Sequence, residues 1–287
     1  MNTPTSDKAI TIGIVGLGLI GGCLALDLQQ LGYRVYGVTR REATAQTALE
    51  QGFVTRASCD LALMGQTDVV FVCTPMAAIV PTVGQLAQHL STSTVVTDVG
   101  SVKAEIVAAA TALWPNFVGG HPMAGKAEAG LAAAEPGLFD HRPYVVTPIK
   151  TTRLQALAQI KQIATQLNAR LYTASPTEHD HAVAAISHLP VMVSASLLHT
   201  CFNEDNELIK TLAQNLASSG FCDTSRVGGG NPDLGTMMAQ YNRTALLKTL
   251  QRYRHQLDDI TQIIEKEDWD TLNQHLSRSQ QERPHYL

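Results

Sequence analysis

Three short stretches hold residue types from which chemistry could be built. In the first, GLGLIGG, the residues Gly16, Gly18 and Gly21 follow the spacing G-x-G-x-x-G, with Leu19 and Ile20 between them. Set between a strand and a helix, this spacing binds a dinucleotide. The first glycine permits the tight turn, the second lets the backbone approach a pyrophosphate, and the third lets helix and strand pack closely. The helix N-terminus then offers free N–H groups to the anion. The second stretch is GGHPMAGK, residues 119–126, where His121 stands among residues small enough to let a substrate come close. A neutral histidine near its ordinary pKa suits a proton acceptor at cellular pH. In the third, Arg226 precedes Gly228-Gly229-Gly230. It reads as an anion-binding guanidinium beside backbone that can bend closely, or as part of a plain surface loop.

The flanking elements suit the glycines. ITIGIV, residues 10–15, is a short β-rich apolar run; CLALDLQQLG reads as a helix stopped by Gly32, and RVYGV, residues 34–38, as the next strand. Together they make a βαβ unit of about 30 residues, the context the fingerprint needs. At the end of the second strand stand Thr39, Arg40 and Arg41, with no carboxylate before Glu42. NAD sites usually place an acid there for the ribose 2′-hydroxyl. Two arginines and a hydroxyl would instead hold a 2′-phosphate, so NADP is expected, the alternative being solvated loop charges.

Alternating strands and helices continue to about residue 172 and imply a mostly parallel sheet. In such sheets the ligand lies beyond the carboxyl ends of the strands. Cys73-Thr74-Pro75, residues 98–103 and residues 121–126 all fall on that side. After Tyr172 the pattern turns helical. Ser175-Pro176-Thr177-Glu178 is a capping box with proline at the first helical position. His181, His188, Met192 and His199 are spaced to lie on one helix face. Pro190 should kink that helix, and His188 sits at the kink, where side chains can face a cavity. Further helices are expected over 204–218, 233–265 and 267–281, with FCDTSRVGGGNPDLG as a loop. The expected domains are 1–174, an α/β dinucleotide-binding domain, and 175–287, an all-α domain.

Composition narrows the function class. A net charge of −4 over 287 residues gives no reason to expect nucleic acid or an anionic membrane surface. Five scattered cysteines without a CxxC argue against a disulfide framework or zinc site and for a reducing compartment, the cytoplasm. The N-terminus, MNTPTSDK, is polar and unlike a signal peptide. The apolar run 182–198 is barely long enough to span a bilayer and reads as a buried helix.

GLGLIGG, DVGSVK, HPMAG, EHD, SHLP and FCDTSRV occur in this order along nearly the whole chain. In this they resemble the prephenate/arogenate dehydrogenase family of tyrosine biosynthesis, and the GGGNPDLG stretch resembles its cyanobacterial arogenate type. The resemblance implies a Rossmann-type domain followed by a helical dimerisation domain, in a homodimer. It implies that His121 takes the proton of the substrate's ring hydroxyl and that Ser101 hydrogen-bonds either that hydroxyl or His121 and helps to orient it. His188 would line the substrate pocket, and Arg226 would pair with the side-chain carboxylate. Gly16, Gly18 and Gly21 would hold the pyrophosphate and Arg40 the 2′-phosphate. Glu178, Asp180 and Asp233 are candidate acceptors for the ammonium of arogenate. No metal is expected. Two other readings compete: a β-hydroxyacid dehydrogenase, which would need a helical-domain lysine such as Lys210, Lys248 or Lys266, and a nucleotide sensor without turnover.

Overall fold

The computed structural model describes residues 10–126 and 128–286. The polar segment at residues 1–9, read above as unlike a signal peptide, lies outside them. Two compact units are present: one runs to Val183 and takes back Gly229–Tyr241, the other comprises Ala184–Gly228 and Asn242–Leu287.

The first unit alternates β1 (Thr11–Val15), α1 (Leu19–Gln30), β2 (Arg34–Val38), α2 (Glu42–Glu50), β3 (Arg56–Ser58), β4 (Val69–Val72), α3 (Met76–Leu86), β5 (Val95–Asp98), α4 (Ala104–Leu113), β6 (Phe117–Pro122), β7 (Pro143–Thr147), α5 (Leu154–Gln166), β8 (Arg170–Thr173) and α6 (Pro176–Val183). One sheet results, in the order β3-β2-β1-β4-β5-β6-β7-β8. All its pairings are parallel except β6 with β7, where His121 lies opposite Val145. β1, β4 and β5 are buried along their whole length, as strands covered on both faces must be. The two-residue period divides their side chains: Ile12, Ile14, Val69 and Phe71 join one core cluster, and Val15, Val70, Val72 and Val96 the other. α5 buries Ala156, Ile160 and Ile163, spaced by four and three, against the first cluster.

The capping box forms as its sequence suggests. Ser175 N donates to Glu178 Oε2 at 2.9 Å, and Glu178 N donates to Ser175 Oγ at 3.2 Å. Pro190 acts differently from a simple kink. A π turn, Ala184–His188, precedes α7 (Leu189–Phe202). Its wider winding absorbs a proline that cannot donate and that crowds the preceding turn. The π turn also changes the helical register, so the expected single histidine stripe is not seen: His188 is buried, while His181 and His199 are exposed.

The remaining elements are α8 (Glu207–Leu216), α9 (Ser219–Ser225), α10 (Pro232–Tyr241), α11 (Arg243–Glu265) and α12 (Trp269–Glu282). Two expectations are corrected here. FCDTS is not loop but most of α9, with Ser218 as N-cap. The helix expected over 233–265 is broken at Asn242, the N-cap of α11, whose side-chain amide donates to His188. The expectation of a buried helix over 182–198 also fails within the chain. The helical run Pro176–Phe202 is apolar and long enough to cross a membrane, yet α7 fully buries only Ser194. Its apolar residues Leu189, Val191, Met192, Val193, Leu197 and Leu198 are half-buried.

Candidate active site

The sheet order reverses between β1 and β4, and a cleft of about 840 Å³ opens there. Gly16, Gly18, Leu19, Ile20, Thr39, Arg40, Arg41, Thr74 and Pro75 line it. Gly21 does not; it packs behind, where an added Cβ would lie 2.0 Å from Gly16 O. Gly16 has φ +103°, and its Cβ would meet Cys73 O at 2.6 Å. A Cβ on Gly18 would meet nothing within 4 Å, so that glycine faces open cleft. Gly18 is also the N-cap of α1 and supplies no side-chain cap, which leaves the first-turn amides for a ligand. Thr74 Oγ1 is buried in the cleft wall with no hydrogen-bond partner among the described residues. Neither Arg40 nor Arg41 forms an ion pair among the described residues, and both are exposed. Glu42 accepts from Cys59 Sγ at 3.2 Å, which raises that thiol's pKa. A dinucleotide fits these features: bare amides and an unused hydroxyl for phosphate oxygens, and unpaired guanidiniums at the rim. Residues 128–131 also line the cleft; no motif in the sequence pointed to them.

His121 sits near the end of β6, 8% exposed, in a chain of buried polar groups. His121 Nδ1 lies 2.8 Å from His179 Nε2, and His179 Nδ1 lies 2.8 Å from Asp180 Oδ1. Asp180 in turn accepts from Lys103 N at 2.7 Å and Ala104 N at 2.8 Å, so it caps the start of α4. Beneath these, Lys103 Nζ pairs with Asp98 and donates to Gly120 O at 2.8 Å; both charged side chains are fully buried. Burial pushes the lysine below its ordinary pKa, against the pull of Asp98. Asp98 also accepts from Gly100 N at 2.9 Å and Gly120 N at 3.2 Å. The pair thus ties the β5 loop to the residue before His121. Burial, with Asp98's charge adding to it, raises the pKa of the Cys73 thiol in the cleft wall and of the Tyr144 hydroxyl.

The other expected site residues are placed as follows. Ser101 stands in the loop between β5 and α4, its Oγ 3.3 Å from Met76 Sδ. His188 belongs to the second unit; it is wholly buried and its Nδ1 accepts from Asn242 Nδ2 at 3.2 Å. Arg226 is exposed at the end of α9. Gly228 has a structural duty: its N–H donates to Ser194 Oγ at 2.8 Å, and a Cβ there would lie 2.4 Å from the α7 backbone at Ala195 N. His179, Lys103 and the capping role of Asp180 were missed in the sequence. EHD was quoted there only as part of a resemblance, and nothing local joins it to His121.

A glycine turn opening on a cleft at the switch point of a 3-2-1-4-5-6 sheet is the architecture of a dinucleotide-binding protein. Residues 24–173 match the nucleotide-binding domain, and residues 175–278 the dimerization domain, of prephenate dehydrogenase. The chain belongs to the prephenate/arogenate dehydrogenase family and is an oxidoreductase. It is 33% identical over 269 residues to prephenate dehydrogenase of Bacillus subtilis, covering 91% of this chain and 72% of that one. It is 48% identical to the crystal structure of Synechocystis arogenate dehydrogenase, with a TM-score of 0.90 over 97% of this chain and all of that one. The fold is shared also with prephenate dehydrogenase of A. aeolicus in complex with hydroxyphenyl propionate and NAD+ (TM-score 0.92, 24% identity, 99% and 100% covered).

Proposed function

We propose that this protein is an NADP-dependent arogenate dehydrogenase that oxidatively decarboxylates L-arogenate to L-tyrosine. The observation that carries the cofactor preference is the end of β2: Arg40 and Arg41 line the cleft where an acid would favour NAD. The substrate preference rests on the 48% identity to an arogenate dehydrogenase. The 33% identity to a prephenate dehydrogenase supports the second reading, prephenate oxidised to 4-hydroxyphenylpyruvate.

The chemistry asks little of the protein. The bound cofactor would supply the acceptor for the hydride leaving the hydroxyl-bearing ring carbon. His121 takes the hydroxyl proton as the carbonyl forms. The bond to the ring carboxylate then breaks, carbon dioxide departs, and its electron pair makes the ring aromatic; His121 returns the proton to the phenolate. Aromatisation drives the reaction, so the protein contributes mainly orientation and a placed proton acceptor. Ser101 helps to orient the hydroxyl, while His188 and Arg226 bind substrate. Gly16, Gly18 and Gly21 admit the pyrophosphate, with Thr74, Pro75, Leu19 and Ile20 along the cleft and Thr39, Arg40 and Arg41 at the 2′-phosphate. The working form is a homodimer of the cytoplasm. In support, a dimerization-domain match spans residues 175–278, Leu208, Leu212 and Leu216 form an exposed apolar stripe on α8, and all five cysteines are free.

The test is turnover with arogenate or prephenate, each with NADP or NAD, followed by reduced nicotinamide. Turnover with arogenate and NADP alone supports the full reading. Equal turnover with prephenate or with NAD overturns the corresponding preference. His121→Asn should lower kcat by at least about 100-fold with cofactor affinity unchanged, the range expected for losing a placed base.

A further inference from the structure

We propose that His179 and Asp180 are positioning residues that fix the tautomer and ring orientation of His121. This rests on the reading of His121 as the proton acceptor. The argument is a count of donors that starts at α4. Lys103 N and Ala104 N are main-chain N–H groups, which can only donate, and both point at the Asp180 carboxylate, at 2.7 and 2.8 Å. They stand at the N-cap and first residue of α4, where the helix dipole also favours a negative charge. Asp180 is therefore held as an acceptor, and His179 Nδ1, 2.8 Å from Oδ1, must donate to it. A neutral imidazole with its proton on Nδ1 carries its lone pair on Nε2. That nitrogen lies 2.8 Å from His121 Nδ1, so with His179 neutral His121 Nδ1 donates in turn, and the lone pair of His121 resides on Nε2.

Nε2 of His121 is thereby held in the form that can take a proton. The opposite tautomer would place its proton on Nε2 and remove the base. The two rings meet edge to face, at 74° with centroids 5.1 Å apart, which also limits rotation of His121 about its side chain. All three side chains are more than nine-tenths buried, so water does not compete for these bonds. The arrangement follows the general logic of a base oriented by a further group. Here that group is a second imidazole, backed by a carboxylate seated on a helix N-terminus.

The test uses the full-length enzyme labelled with 15N-histidine, with His121 resonances assigned by their loss in His121→Asn. Wild-type His121 is expected as the Nδ1–H tautomer; an Nε2–H tautomer overturns the proposal. His179→Phe keeps an aromatic ring but removes the acceptor. It should lower kcat by about 100-fold, the lower end of what a placed base contributes, with KM for both substrates changed little. His179→Gln keeps an acceptor oxygen near the Nε2 position and should recover about 10-fold of that loss, in the range of an orienting partner. Unchanged kcat in a folded His179→Phe enzyme overturns the proposal. If that variant does not fold, the wild-type tautomer and His179→Gln decide. Should His121→Asn itself keep full kcat, the proton-acceptor reading fails. Loss in His121→Asn with none in His179→Phe sinks the positioning role alone.

Discussion

Replacing Lys103 by methionine tests whether the buried pair beneath His121 holds that strand end in place. Methionine keeps the length and apolar stem of lysine but removes the ammonium. Lys103 and Asp98 are both 0% exposed, so no water replaces the lost charge. Asp98 would keep the N–H groups of Gly100 and Gly120, and Gly120 O would lose the Nζ donor now 2.8 Å away. Breaking a buried pair by removing one partner costs about 3–5 kcal/mol. Because two amides still hold the carboxylate, the lower figure, about 3 kcal/mol, is expected. For a unit of this size that is a fall of about 6–12 °C in Tm, readable by circular dichroism or calorimetry. Replacing Asp98 by asparagine in the same chain should recover part of the loss, because the stranded charge goes with it. A fall below about 1 kcal/mol in Lys103→Met would refute the reasoning, since the site would then tolerate an unpaired carboxylate.

Two glycines of one motif should respond differently. Gly18→Ala, whose Cβ meets nothing within 4 Å, should leave Tm unchanged and weaken cofactor binding by about tenfold or more, about 1.4 kcal/mol. Gly21→Ala places a Cβ 2.0 Å from Gly16 O and should destabilise the fold itself; equal effects of the two on Tm would show that the division of labour is wrong. Glu178 is held below its ordinary carboxyl pKa by hydrogen bonds from Ser175. A depressed folded pKa gives stability that is present above the unfolded value and is lost as pH falls through the folded one. Carboxyl 13C titration should therefore find Glu178 below the ordinary glutamate range, and Glu178→Gln should remove that part of the acid dependence of unfolding.

What was legible in the sequence was local. The glycine fingerprint and the capping box depend on residues within a turn or two of each other, and both take the form their spacing suggests. The buried parallel strands announce themselves as unbroken apolar runs. β3 does not: three residues at the sheet edge, Arg56, Ala57 and Ser58, carry neither period nor hydrophobicity. The break between α10 and α11 was hidden because an asparagine within an amphipathic run is no strong stop. Asn242 ends the run by bonding to His188, 54 residues away in sequence. His121 could be picked out by its small neighbours, but its partners could not. The contacts that orient it span 58 and 77 residues, and only the packing of α6 beside α4 makes them neighbours.

The acidic residues show why this matters for substrate choice. Read from the sequence, Glu178, Asp180 and Asp233 are all candidates for meeting an ammonium, Glu178 being the one that its capping box could also occupy. The structure gives two of them other work. Glu178 closes the cap of α6 on Ser175, and Asp180 receives two amides of α4 and His179. A carboxylate drawn away from those bonds would strand donors that are now satisfied, a cost of about 1–3 kcal/mol for each buried one. Asp233, in the first turn of α10, is the one of the three whose carboxylate accepts no hydrogen bond among the described residues. Of these three, Asp233 is therefore the carboxylate left for the ammonium of arogenate. Prephenate, with a keto group in place of the ammonium, would ask for a donor instead.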